Sequence, residues 1–158
     1  MKMRLRNAFL ILFVCILGSC SKEPLENTNI IEAKNAYEVE NELLNIVNSH
    51  RISLGYNALS FSAIAYDYAN KHNDYMVATG NLSHDGFNSR ASSISNEVNA
   101  EYVAENIAKD YSTAVEAFEN WLGSTDHKKT MEGNFTHTAV SVKEDTSGNL
   151  YFTQLFYR

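Results

Sequence analysis

Residues 137–157, with the sequence HTAVSVKEDTSGNLYFTQLFY, decide the fold class of this chain of 158 residues. Between 137 and 142, threonine and valine alternate with histidine, alanine and serine, which is the period of two typical of a β-strand. Residues 145–149 combine polar side chains with a glycine and indicate a turn. The alternation resumes over 150–157, so this segment predicts a β-hairpin.

Four helices are predicted ahead of the hairpin. Hydrophobic side chains recur at helical spacing over residues 37–54 and 62–79, and a glycine follows each segment. A short helix is expected over 91–98 and a further one over 113–123. Because the helices come first and the paired strands last, the sequence predicts an α+β fold with helices packed on an antiparallel sheet.

The helix over 113–123 has the clearest start signal. Thr113 and Glu116 have the spacing of a capping box, in which each side chain satisfies a backbone N–H at the helix start. Its apolar side chains predict a buried face made of Val115, Phe118, Trp121 and Leu122.

The first 19 residues have the pattern of an export signal. Residues 2–6 are basic, and residues 8–17 form an apolar run that is too short to cross a bilayer as a stable helix. The run ends at Leu17-Gly18-Ser19-Cys20, which resembles a bacterial lipobox, where the cysteine thiol receives a diacylglyceryl group. We therefore predict a lipoprotein signal peptide over 1–19 and a lipidated Cys20. The alternative is an ordinary signal peptide that happens to contain a cysteine.

The predicted anchor sets the location and the cysteine chemistry. Cys15 is lost with the signal and Cys20 is lipidated, so the mature domain is predicted to have no disulfide, thiolate metal site or cysteine nucleophile. Acyl chains on Cys20 attach the protein stably to a membrane, and we expect an extracytoplasmic place in a bacterial cell envelope, on the outer membrane or cell surface. Residues 20–36 are the expected lipidated N-terminus and linker, and residues 37–158 the single folded domain.

The charge of the mature chain argues against nucleic-acid binding. The whole sequence has 13 Lys and Arg against 19 Asp and Glu, a net charge of −6. Removal of Lys2, Arg4 and Arg6 with the signal leaves 10 basic residues against 19 acids, a net charge of −9. An acidic surface of this kind repels phosphate backbones, so no nucleic-acid partner is expected.

The five histidines fall into two groups. His50 and His72 lie within predicted helices near the apolar face, where a helix-surface or half-buried role is expected. His84 and His127 are predicted to lie in loops just past helix ends, and His137 at a strand start. Loops on a rigid scaffold are where binding and catalytic residues concentrate, so the second group supplies the candidates.

Glu105 is the third chemical candidate, because it lies within the apolar segment 104–108. A buried carboxylate has a raised pKa or has a partner. Two neutral imidazoles, from His84 and His127, and one carboxylate suit a divalent metal such as zinc. The same residues could instead form a Glu–His pair for general-base chemistry, and their spacing in the sequence does not decide between these two uses.

Five short motifs occur in a fixed order along the chain. They are Ser83-His84-Asp85-Gly86, Ala104-Glu105-Asn106-Ile107-Ala108, Trp121 with Ser124 and His127-Lys128 at three-residue steps, residues 134–142 (NFTHTAVSV), and residues 151–156 (YFTQLF). In this order, over nearly the whole mature chain, they resemble the bacterial branch of the CAP superfamily of cysteine-rich secretory, antigen five and pathogenesis-related proteins, whose domain is also called SCP.

The resemblance implies an α–β–α sandwich with a central cleft lined by two histidines and one or two acids. His84 and His127 match the two cleft histidines, and Glu105 matches the cleft glutamate. Many eukaryotic members have a second glutamate where this chain has Ser124, so the acid pair is incomplete here. Ser124, Asn106 and His137 are secondary candidates for the cleft.

Three functions follow from these observations. The first is a lipid-anchored binding module whose cleft holds a divalent metal such as zinc, or a small apolar ligand, and whose partners include a lipid, a peptide or a protein. The second is a peptidase-like hydrolase with Glu105 or a histidine as base and Ser124 as nucleophile, although the chain lacks the Gly-x-Ser-x-Gly and His-Glu-x-x-His motifs. The third is a structural or interaction domain with a vestigial cleft.

Overall fold

The computed structural model describes residues 33–158. The predicted signal peptide, Cys20 and most of the predicted linker lie outside this range. The helices in this range are α1 (Tyr37–Ser53), α2 (Ala63–Thr79), α3 (Phe87–Val98), α4 (Ala114–Gly123) and α5 (Thr125–Met131). The strands in this range are β1 (Lys34–Asn35), β2 (Ser60–Phe61), β3 (Val103–Lys109), β4 (His137–Glu144) and β5 (Leu150–Tyr157).

The sheet is built around the predicted hairpin. Strands β4 and β5 pair antiparallel, and β3 pairs antiparallel with the other side of β5, which gives the order β1-β4-β5-β3. The short strand β1 pairs antiparallel with the end of β4, and β2 pairs parallel with its start. The last residues of the predicted linker are therefore part of the sheet.

Helices cover both faces of this sheet. On one face, Leu43 of α1 and Trp121 of α4 belong to a cluster with Phe152 and Phe156 of β5. On the other face, Ala65 of α2 and Ile94 of α3 belong to a cluster with Val103 and Leu155. The architecture is the expected α–β–α sandwich, and the α+β class is confirmed.

Local signals explain where the helices begin and end. The Ser62 hydroxyl accepts a hydrogen bond from the backbone N–H of Ala65 at the start of α2, and Gly80 ends that helix in the left-handed region at φ 69°. At α4, Thr113 caps the N–H of Glu116 as predicted. The Glu116 carboxylate accepts from the N–H of Ser112, one residue earlier than the capping-box pattern.

The structure corrects three details of the sequence interpretation. Helix α3 begins at Phe87 and is longer than the predicted 91–98. His127 lies in helix α5, not in a loop, because the polar segment after Ser124 forms two further helical turns. Val115, predicted to be buried, is 43% exposed, since the sheet-facing side of α4 is formed by Ala114, Ala117 and Trp121.

No helix within residues 33–158 is both long and apolar enough to cross a membrane.

Candidate ligand-binding site

The site is organised around Glu105 on strand β3. Side chains alternate along a strand, and Glu105 points to the face covered by α2 and α3. Its side chain is only 1% exposed, and its Oε1 lies 2.8 Å from Nδ1 of His84. The structure therefore brings two of the three predicted cleft residues into direct contact.

Arg90 neutralises this buried carboxylate. From the first turns of α3, its Nε and Nη2 donate to both oxygens of Glu105 at 2.7–3.0 Å, a two-pronged ion pair. Its Nη1 also donates to the backbone carbonyl of Asp85 at 2.7 Å. Gly86 has a φ of 71°, and a Cβ there would lie 3.3 Å from Nη1 of Arg90, so glycine suits both the turn and the arginine.

The contact with Glu105 fixes the orientation of His84. A carboxylate paired with arginine only accepts hydrogen bonds, so Nδ1 of His84 carries the proton and donates it. In the neutral ring, the lone pair then lies on Nε2. The His84 side chain is 52% exposed, which leaves its ring open to a ligand.

His72 is a site residue that the sequence interpretation misses. Expected on a helix surface or half buried, it is instead buried behind Glu105, with its Nε2 4.0 Å from Oε1 of Glu105. The same Nε2 lies 2.7 Å from the carbonyl of Ser83 and donates to it. Burial lowers the pKa of His72, and the Glu105 charge only partly opposes this. The only signal in the sequence is its place on the apolar stripe of α2.

His127 approaches from the opposite face of β3. The amide of Asn106, the residue after Glu105, donates to the backbone carbonyl of His127 at 3.0 Å. Nδ1 of His127 is buried and has no hydrogen-bond partner among residues 33–158. Burial lowers the pKa of His127, and the electrostatic interaction with the His84 ring adds to this, so the His127 ring is neutral near pH 7.

The two remaining candidates lie at different places. Ser124 separates α4 from α5, and its side chain makes no capping hydrogen bond to α5. His137 stacks on Tyr157 with ring centroids 4.8 Å apart, and its Nδ1 lies 2.8 Å from the hydroxyl of Thr136. Because β5 separates β4 from β3, His137 is not part of the Glu105 network.

The site offers a metal ion few donor atoms. Within residues 33–158, no three His, Cys, Asp or Glu side chains are arranged to hold a metal ion. Both oxygens of Glu105 are engaged by Arg90 and His84, so this carboxylate fits the role of a partner that orients a histidine ligand. The imidazoles of His84 and His127 remain as nitrogen donors.

A recess of about 210 Å³ opens beside His84. It lies between α3 and α5 at the outer edge of β3. Its lining residues are His84, Phe87, Tyr102, Val103, Ala104, Glu105 and Thr130.

Comparison with known proteins identifies the family. Residues 44–156 match the sequence profile of CAP, the cysteine-rich secretory protein family. The chain belongs to this family, which confirms the resemblance seen in the five motifs. A comparison with curated protein sequences gave no match.

Solved bacterial structures share the fold. An outer surface protein from Borrelia burgdorferi is similar with a TM-score of 0.70 at 15% identity, over 80% of this chain and 96% of that one. An extracellular protein containing a SCP domain from Bacillus anthracis gives 0.67 at 26% identity, over 77% and 41%. A cysteine-rich secretory protein from Staphylococcus aureus gives 0.64 at 18% identity, over 85% and 40%. The chain thus spans about two-fifths of the Bacillus and Staphylococcus chains.

Proposed function

We propose that this protein is a lipid-anchored, extracytoplasmic CAP domain that binds a ligand in the cleft beside His84, Glu105 and His127. The location is supported by the lipobox at Cys20 and by the outer-surface and extracellular proteins that share the fold.

The observation that carries the binding role is the full engagement of Glu105. Its two oxygens accept four hydrogen bonds, three from Arg90 and one from His84, at 2.7–3.0 Å. A carboxylate held in this way is a poor general base, because taking up a proton would require losing the arginine pair. It is well suited to orienting His84 towards a ligand.

A divalent cation such as zinc suits the two histidines. His127 is kept neutral by burial, and His84 presents its Nε2 lone pair because Nδ1 donates to Glu105. A bound metal would supply a Lewis-acidic centre with open positions for a ligand. A carboxylate behind a ligand histidine typically raises metal affinity by about 10–100-fold.

Nothing in the geometry favours the hydrolase alternative over binding. None of the hydrogen bonds between side chains of residues 33–158 joins Ser124 to a histidine, as an activated nucleophile requires. Glu105, the predicted base, is engaged by Arg90. If the protein binds no zinc, the alternative of a structural or interaction domain with a vestigial cleft is favoured.

Zinc titration tests the cleft. By calorimetry with the full chain in detergent, we expect His84→Ala and His127→Ala to abolish measurable zinc binding, and Glu105→Gln to weaken it about 10–100-fold through His84. His137→Ala is the matched control and should leave the affinity unchanged. Equal zinc affinity in the wild type and in both cleft-histidine variants would refute the metal site.

Membrane fractionation tests the anchor. Cys20→Ser should move the protein from the membrane to the soluble fraction and remove the lipid mass from its N-terminus. Cys15→Ser is the control, because that cysteine is predicted to be removed with the signal. An unchanged distribution of the Cys20→Ser protein would contradict lipidation at this residue.

A further inference from the structure

The outer edge of β3 presents backbone groups that the sheet does not use. Tyr102 and Arg158 exchange both of their backbone hydrogen bonds, at 3.1 and 3.3 Å. In an antiparallel pair such residues alternate with ones whose N–H and C=O point away from the partner strand. Val103, Glu105 and Ile107 are therefore the residues of β3 whose backbone groups face away from β5.

Part of this edge is closed by the protein itself. The indole Nε1 of Trp121 donates to the carbonyl of Ile107 at 2.9 Å, so the edge is covered at that point. The remaining outward backbone groups belong to Val103 and Glu105, which span about 7 Å of strand.

The small accessible surface of Glu105 lies on its main chain. The residue as a whole is 8% exposed, whereas its side chain is 1% exposed. The residual accessible surface therefore belongs to the main chain, which explains why Glu105 lines the recess beside His84 while its carboxylate is buried. Unpaired peptide groups on a strand edge are docking points for another extended chain.

The recess continues into a second groove of about 380 Å³ that shares Tyr102, Ala104 and Thr130 with it. Tyr102 is 55% exposed and stacks on Phe135, with ring centroids 5.7 Å apart, so the groove has an aromatic wall. Lys129, Arg158 and Asp126 also line this groove, and Arg158 pairs with Glu101 at 3.3 Å. Lys129 is exposed and forms no ion pair among residues 33–158, so it is the cation of the groove that is open to an acidic ligand.

We infer that the outer edge of β3 at Val103–Glu105 binds a short extended peptide as an added strand, with an acidic side chain directed to Lys129. The peptide backbone pairs with the outward N–H and C=O groups, and Tyr102 with Phe135 receives an apolar side chain. This deepens the proposed function, because His84 borders the same recess, and it names an acidic peptide as the ligand class. The pairing itself requires no metal.

Nuclear magnetic resonance of the ¹⁵N-labelled full chain in detergent, with EDTA present, tests this. The probes are libraries of acetylated, amidated hexapeptides with one position fixed as glutamate or lysine and the others randomised. The glutamate libraries should shift the amide resonances of Val103 and Glu105 and slow their hydrogen exchange. The lysine libraries should bind about tenfold more weakly, because they lack the charge complement.

Two neighbouring lysines provide matched variants. Lys129→Glu should weaken binding of the glutamate libraries about tenfold, whereas Lys128→Glu, which does not line the groove, should stay within about twofold. A selected hexapeptide remade with N-methyl groups at its pairing residues should lose binding about tenfold, since it cannot form the backbone ladder.

Several outcomes would overturn the inference. These are the absence of shifts at Val103 and Glu105 with every library, equal binding of both library types, equal effects of the two lysine variants, or undiminished binding of the N-methylated peptide. Because EDTA is present, peptide binding without zinc affinity would refute only the metal site. Zinc affinity without peptide binding would refute only the strand addition.

Discussion

Polar side chains are buried on both faces of β3, but the two faces differ in the hydrogen-bond partners that these side chains have. On the face towards α2 and α3, the Glu105 carboxylate is bonded to Arg90 and His84, and His72 lies behind it. On the face towards α4 and α5, the neighbouring Asn106 is fully buried, and its amide donates to the carbonyl of His127. The charged Glu105 therefore has partners for both of its oxygens, whereas the oxygen of the neutral Asn106 amide has none among residues 33–158.

The neutral face is the less satisfied one. Oδ1 of Asn106, Oε1 of Gln154 and Nδ1 of His127 are buried without a hydrogen-bond partner within residues 33–158. Asn106 and Gln154 are opposite each other in the β3–β5 ladder. The difference follows from energetics, because an unpaired buried charge costs several kcal/mol, whereas an unpaired amide oxygen costs about 1–3 kcal/mol.

Removing the charge from Glu105 should give the largest effect. Glu105→Leu leaves the Arg90 guanidinium, whose side chain is only 11% exposed, without its carboxylate. We expect the free energy of unfolding in urea to fall by about 3–5 kcal/mol. The loss is specific to charge if Glu105→Leu combined with Arg90→Met recovers most of it. A loss below about 1 kcal/mol in the single variant would show that leaving Arg90 without its carboxylate has little effect on stability.

Only the parts of the fold and the site that have a local pattern in the sequence can be predicted. The hairpin and the long helices follow from periodicity, but β3 does not, because both of its faces are covered and its side chains show no alternation between apolar and polar residues. Helix α5 escapes prediction because its seven residues, TDHKKTM, are nearly all polar. Arg90 and His72 join Glu105 through tertiary packing across 15 and 33 residues of sequence, which no local pattern records.

A lower pH should reduce the free energy of unfolding through two histidines, His72 on one face of β3 and His127 on the other. Burial lowers the pKa of His72 and of His127 below the unfolded value of about 6.5. The unfolded chain therefore takes up protons first, so the stability contributed by each neutral ring is present above pH 6.5 and is lost as the pH falls towards the folded pKa.

Urea unfolding between pH 7.5 and 5, in EDTA, measures this dependence. Each histidine contributes a slope of up to about 1.4 kcal/mol per pH unit, and His72→Gln or His127→Gln should remove its own share. Wild-type slopes in both buried-histidine variants would contradict the assignment.

Asn106→Leu should have the smallest effect, and it tests the comparison most directly because it places the same side chain as Glu105→Leu one residue further along β3. The substitution removes one hydrogen bond to the carbonyl of His127, and it also removes the unpartnered Oδ1. These two changes oppose each other, since replacing a half-satisfied buried amide with an apolar group of similar size is close to neutral. We expect a loss below about 1 kcal/mol in urea unfolding, against about 3–5 kcal/mol for Glu105→Leu. Equal losses in the two variants would mean that the loss of unfolding free energy depends on the burial of the replaced side chain and not on the charge of Glu105.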